Sequence, residues 1–198
     1  MARIEPFVEA LRDLSYALDG LGIEWAVAGA VAANNYRDEI RTTGDLDVLL
    51  ALSDNNLEDV QDALQQRGWS TTGVAEDFLL RMQHPRAGRI DVMVSGTDYE
   101  NGAIARAHRV SHDPQLSFKT LAVEDVVILK LIANRHRDNA DVESILVARP
   151  DFDREYMARW FGEFDLDGRF MRIVKTAMDE GLLPGGDPPL DIPDLPDP

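Results

Sequence analysis

A chain of 198 residues with 44% apolar residues, no cysteine and a formal charge of −16 has the size of one globular domain with room for a helical appendage. The missing cysteines exclude disulfides and thiolate metal sites, and the excess of acid argues against a protein whose main task is wrapping duplex DNA, because that affinity comes from Lys and Arg on phosphates. No window approaches the roughly 18 apolar residues that span a membrane, and the opening "MARIEPFVEALRDL" lacks the apolar core and cleavage site of a signal peptide, so no membrane association and a cytoplasmic location are expected.

Taken in chain order, residues 5 to 20 place Phe7, Val8, Leu11, Leu14 and Leu18 at helical spacing and stop at Gly20. "IEWAVAG" reads as a short buried strand ended by Gly29, and "AVAANNYR" as a helix rich in alanine. "LDVLLAL" is a second strand, "NNLEDVQDALQQRG" an amphipathic helix closed by Gly68, and "FLLRMQH" and "RIDVMVSG" are two further strands. "VEDVVILKLIANRHRDNADVESILVAR" supplies one or two helices, followed by helical "FDREYMARWFGEF" and "RFMRIVKTAMDEGLL". This mixture gives an α/β (α+β) fold, a small mixed sheet flanked by helices, with a helical C-terminal portion. The division expected is residues 1–121, 122–182 and a tail 183–198, whose Pro, Gly and Asp content cannot bury enough apolar surface to order it.

The chemistry sits in "RTTGDLDVLL". On a strand, residues two apart project to the same side roughly 6.5 to 7 Å from each other, so Asp45 and Asp47 converge on one face. Two such carboxylates repel unless a cation lies between them, and a hard divalent ion such as Mg²⁺ takes one or two carboxylates together with substrate phosphates. The plainer alternative puts Asp45 in a Thr-Gly-Asp turn and Asp47 on a solvated face. Upstream, Gly29 at a strand-to-helix junction lets a phosphate approach the backbone, with helix N–H groups behind it. Downstream, Asp91 in "RIDVMV" offers a third carboxylate, as metal ligand or general base. The histidines show no metal-ligand spacing, and Lys130 after "VVIL" could simply snorkel from a helix.

Gly29-Ala30, then Arg-x-Thr-x-Asp-hydrophobic-Asp at Arg41 to Asp47, then the later acid Asp91, resembles the DNA polymerase beta-like nucleotidyltransferase superfamily. The run Lys130, Arg135, Arg137, Asp138 and Asp141 resembles the helical segment of its AbiEii-like branch, many of whose members are toxins of toxin-antitoxin systems. The resemblance spans residues 21 to 147. It implies a nucleotidyltransferase in which Asp45, Asp47 and Asp91 hold two Mg²⁺ ions and carry catalysis, while Gly29, Ala30, Arg41, Lys130 and Asp138 bind the NTP. It further implies an acceptor hydroxyl on tRNA or a protein, release of pyrophosphate, and an antitoxin partner. A small-molecule acceptor such as an aminoglycoside, or a catalytically weak binding module, are the alternatives. Ala30 departs from the Gly or Ser common in the family, which removes one phosphate contact.

Overall fold

Helix α1, Val8–Gly20, turns Ala10, Leu11, Leu14, Ala17 and Leu18 inward, and the chain leaves it through Leu21 and Gly22, the latter at φ +69°. The computed structural model describes residues 7–53, 56–75, 78–148 and 151–183; most of the acidic tail, from residue 184 onward, lies outside the described residues. The chain divides into two compact units, one of residues up to Ala32 with Arg41–Ala122, the other of Ala33–Ile40 with the chain from Val123 onward.

The first unit is built on a mixed seven-stranded sheet of β1 (Glu24–Val27), β2 (Leu46–Ala51), β3 (Ser70–Ala75), β4 (Leu79–His84), β5 (Gly88–Val94), β6 (His108–Asp113) and β7 (Leu116–Thr120), in the order β3-β4-β5-β2-β1-β7-β6. β2 runs parallel to β5 and β1 parallel to β7; the other neighbours are antiparallel. Strand periodicity separates the faces: Leu46, Val48 and Leu50 of β2, Ile90 and Val92 of β5, and Leu80 and Met82 of β4 are buried on one side. Asp47, Asp91 and Arg81 alternate with them on the other.

Three more helices begin in this unit. α2 is Gly29–Ala33, α3 is Leu57–Gln65 and α4 is Asp98–Arg106. α3 starts with a reciprocal cap, the Asn56 side chain accepting from Asp59 N–H while the Asp59 carboxylate accepts from Asn56 N–H. Its exit turn needs Gly68, at φ +92° with His84 Nε2 only 3.1 Å from where a Cβ would lie. The sheet is larger than sequence periodicity suggests, because β3 and β6 are polar edge strands with little apolar alternation to announce them.

The second unit contains α5 (Val123–Ala133), α6 (His136–Ala148), α7 (Arg154–Phe164) and α8 (Asp167–Asp179). α5 is apolar almost all round and buries eight of its eleven residues, which marks it as the central helix of that unit. Phe161 of α7 packs its ring 5.1 Å from that of Phe170 of α8. The stretch expected as one helix over residues 30–37 is helical only to Ala33. Asn34 and Asn35 favour local side-chain bonds over helix continuation, and Arg37 is drawn into the interior of the second unit.

Candidate active site

The first unit brings Gly29, Asp47 and Asp91 together, and Asp45 lies in the loop just before β2. β1 ends at Val27, and Ala28 N–H still bonds to Asp47 O at 2.9 Å, so the turn that follows lies directly beside β2. Gly29 stands at φ +59°, and a Cβ there would come 1.9 Å from Asp47 Oδ2 and 2.6 Å from its Cγ. Only a residue without a side chain fits, on both conformational and steric grounds. Gly29→Ala should therefore displace the Asp47 carboxylate and add the roughly 1–2 kcal/mol of a left-handed non-glycine residue. A lowered Tm in thermal unfolding is the expected outcome.

Asp47 lies opposite Asp91 in the parallel β2/β5 pair, which sets their side chains on adjacent strands spaced about 4.8 Å apart. Asp45, half-buried just before β2, accepts a hydrogen bond from Thr43 Oγ1 at 2.8 Å, a bond that fixes the Thr-x-Asp loop. Arg41 lies half-buried at the start of the same loop. Arg81 of β4 faces Asp91 in the register, its Nε 3.4 Å from Asp91 Oδ2, and Arg89 reaches back to the Gly44 carbonyl at 3.5 Å. Ala30 is buried and contributes no polar side-chain atom. The five-residue α2 is too short for the helix N-terminus behind Gly29 to add much macrodipole, so the glycine turn itself is the distinctive feature.

The donor set is hard carboxylate oxygen throughout, the kind Mg²⁺ takes together with phosphate oxygens and water. Among the described residues no three or more His, Asp or Glu side chains converge as a ready-made metal cage. A pair of carboxylates completed by phosphates does not need one.

Lys130 and Asp138 belong to the second unit, in a buried network. Lys130 Nζ lies 2.6 Å from Asp141 Oδ2 and 3.4 Å from Asp138 Oδ1, with 7% of its side chain exposed. Arg37 donates from Nη1 to Asp141 Oδ1 at 2.6 Å and from Nε to Asn34 Oδ1 at 2.8 Å. Asp138 also receives the Arg135 guanidinium, Nε to Oδ2 at 2.5 Å, and Arg135 N–H. Burial pushes the Asp138 carboxyl up, but the Arg135 hydrogen bond and the charges of Lys130 and Arg135 outweigh it and hold the group below the ordinary carboxylate range. Nearby, burial and then the charges of Glu124 and Asp125 push the Tyr36 phenol far above its usual value, so it stays protonated. Arg37, Arg81 and Arg89 escape a reading by motif. Arg89 could have been found from strand alternation, since it stands two residues before Asp91 on the same strand; Arg81 is set beside Asp91 by the β4/β5 register, and Arg37 gives no local signal.

A family model described as "Nucleotidyltransferase of unknown function (DUF6036)" matches residues 24–161. No curated protein matches the chain. Among solved structures, the chain is similar to the antibiotic-resistance factor ANT(2'')-Ia, with a TM-score of 0.55 at 11% identity over 87% of this chain and 97% of that one. The same factor in complex with adenylyl-2''-tobramycin gives 0.54 at 11% identity over 80% and 96%. An antigenic nucleotidyltransferase-like protein from Paracoccidioides brasiliensis gives 0.50 at 16% identity over 70% and 74%. These likenesses establish the fold, and the family match covers more than half of the sequence. The glycine turn beside paired strand aspartates thus stands in a chain that belongs to the DUF6036 family of nucleotidyltransferases.

Proposed function

We propose that the protein transfers a nucleoside monophosphate from an NTP to an acceptor hydroxyl, releasing pyrophosphate, with Asp45, Asp47 and Asp91 as the catalytic carboxylates. The observation that carries this reading is the contact of Gly29 with Asp47: a left-handed glycine whose missing Cβ leaves room for a carboxylate, which itself stands opposite Asp91. In this reading the triphosphate approaches the Gly29 turn beside the Asp47 carboxylate. Asp45 and Asp47 would hold the divalent ions that accompany it, and Asp91 serves the acceptor side. When bound, the ions supply charge neutralisation on the triphosphate and on the attacking and leaving oxygens.

The chain's own groups do the rest. Thr43 keeps the Asp45 carboxylate oriented through its hydroxyl. Asp91 takes the proton of the attacking hydroxyl, whose oxygen bonds to the α-phosphorus as the bond to the bridging oxygen of pyrophosphate breaks. Arg41, at the start of the loop, adds positive charge for the triphosphate. Lys130 and Asp138 enter this reading through the network they form with Asp141 and Arg37 in the second unit. An acceptor on tRNA or a protein, with an antitoxin partner, is the reading the AbiEii-like motif supports. A small-molecule acceptor is the second reading, favoured by the likeness to a fold whose complex contains adenylyl-2''-tobramycin.

The experiment is calorimetric titration of each NTP with and without Mg²⁺, for wild type and Asp47→Asn. Binding that requires Mg²⁺ and disappears in the variant is expected. No binding of any NTP by the wild type overturns the proposal.

A further inference from the structure

The flank of the site away from Gly29 is basic. Across the sheet the order runs β1, β2, β5, β4, so the Gly29 turn lies beyond one side of the Asp47–Asp91 pair and Arg81 beyond the other. In an in-line displacement the leaving and attacking oxygens lie on opposite sides of the phosphorus. With the triphosphate at the Gly29 turn, the acceptor therefore arrives from the β4 side.

There the register sets Arg81 directly opposite Asp91 and places Arg89 two residues before Asp91, on the same face, with Gln83 opposite it. The Arg81 side chain is 53% exposed, and Arg89 and Gln83 are exposed as well. Leu79 and Met93, half-buried on the same face, provide a small apolar floor. Among the described residues Arg89 has no carboxylate partner, and its bond to Gly44 O is long at 3.5 Å. The Arg81 contact with Asp91, at 3.4 Å, is similarly long. Neither β3, "STTGVA", nor β4, "LLRMQH", contains an acidic residue. A cationic acceptor would meet two guanidinium groups here; an anionic one finds two planar forks that match phosphate.

Resting on the proposed reading of the site, we infer that the acceptor hydroxyl is carried beside phosphate groups, as in single-stranded RNA, and that Arg81 and Arg89 hold those phosphates. An incoming phosphate competes with Asp91 for Arg81, and the carboxylate it releases is the one that takes the acceptor proton. The acidity of the whole chain does not oppose this, because short-range phosphate contacts are made locally and screening weakens interaction with distant charge.

The test is fluorescence anisotropy of a fluorescein-labelled single-stranded RNA decamer titrated with the full chain at several salt concentrations, without NTP. Removing both guanidiniums, in Arg81→Ala with Arg89→Ala, is expected to raise Kd about tenfold and to reduce the slope of log Kd against log salt by about 1.4. Arg86→Ala is the control: this arginine is exposed and paired with Glu9, and its loss should leave RNA affinity unchanged. Millimolar ribose 5-phosphate separates two sources of the same chemistry. Displacement of the RNA points to a small phosphorylated acceptor, and no displacement points to RNA. Equal RNA affinity in the double variant and wild type, an equal loss in the control, or tobramycin binding tightened by removing the two arginines overturns the inference. Because no NTP is present, such a result is distinguishable from failure of the nucleotide titration, which reads Asp47.

Discussion

Asp91→Asn should lower the rate of nucleotidyl transfer by about a thousandfold while leaving the KM for NTP within a few-fold of wild type. The amide keeps the size of the carboxylate and its place on β5 opposite Asp47, but it can neither accept the acceptor proton nor match the charge of the acid. Because Asp45 and Asp47 still face the triphosphate in the proposed arrangement, the loss falls on the chemical step. Single-turnover measurement of pyrophosphate release separates that step from binding. An unchanged rate with saturating NTP and acceptor would remove Asp91 from the catalytic set. Arg81 gives an internal check, because Asn offers it only a neutral oxygen in place of the 3.4 Å ion pair, at little cost for so exposed a contact.

The largest effect on stability is expected at Asp141. Its carboxylate, 1% exposed, is shared by Arg37 and Lys130 at 2.6 Å each, so Asp141→Asn removes the negative charge that both buried cations share, while Lys130 keeps Asp138. Removing one member of a buried charge network costs roughly 3–5 kcal/mol, because desolvation of the remaining charges is no longer compensated. For a chain of this size that corresponds to a fall in Tm on the order of 10 °C. Thermal unfolding at neutral pH measures it, and a shift of less than about 2 °C would show that the network is not a major source of the second unit's stability. The comparison with Asp138→Asn is informative: Asp138 carries Arg135, whose side chain is 77% exposed, so part of its pairing is screened by solvent and a smaller loss is expected.

The aspartate pair was legible because carboxylates are out of place in a strand. "LDVLLAL" and "RIDVMV" keep their apolar alternation around Asp47 and Asp91, and that alternation predicts which side each faces. The region from residue 97 to 121 was not read from periodicity, although it holds α4, β6 and β7. Part of its signal was available. Thr97 and Glu100 form the start of α4, with Thr97 Oγ1 accepting from Glu100 N–H, a spacing typical of helix starts. "LSFKT" buries Leu116, Phe118 and Thr120 in strict alternation. β6, by contrast, buries none of its residues at a sheet edge, where solvent imposes no apolar pattern.

Composition, strand alternation and the Asp-x-Asp spacing determine, from the sequence alone, a mixed α/β fold with a glycine turn and three carboxylates on or just before strands. These are local properties, set by the period of the strand and the conformational freedom of glycine. Tertiary structure alone decided that Asp47 pairs with Asp91, that Asp47 leaves Gly29 no room for a methyl group, that Arg81 stands beside Asp91, and that Arg37 is buried against Asp141. Each of those facts depends on strand order, register or a contact between residues far apart in the chain, and such contacts leave no periodic trace in a single sequence.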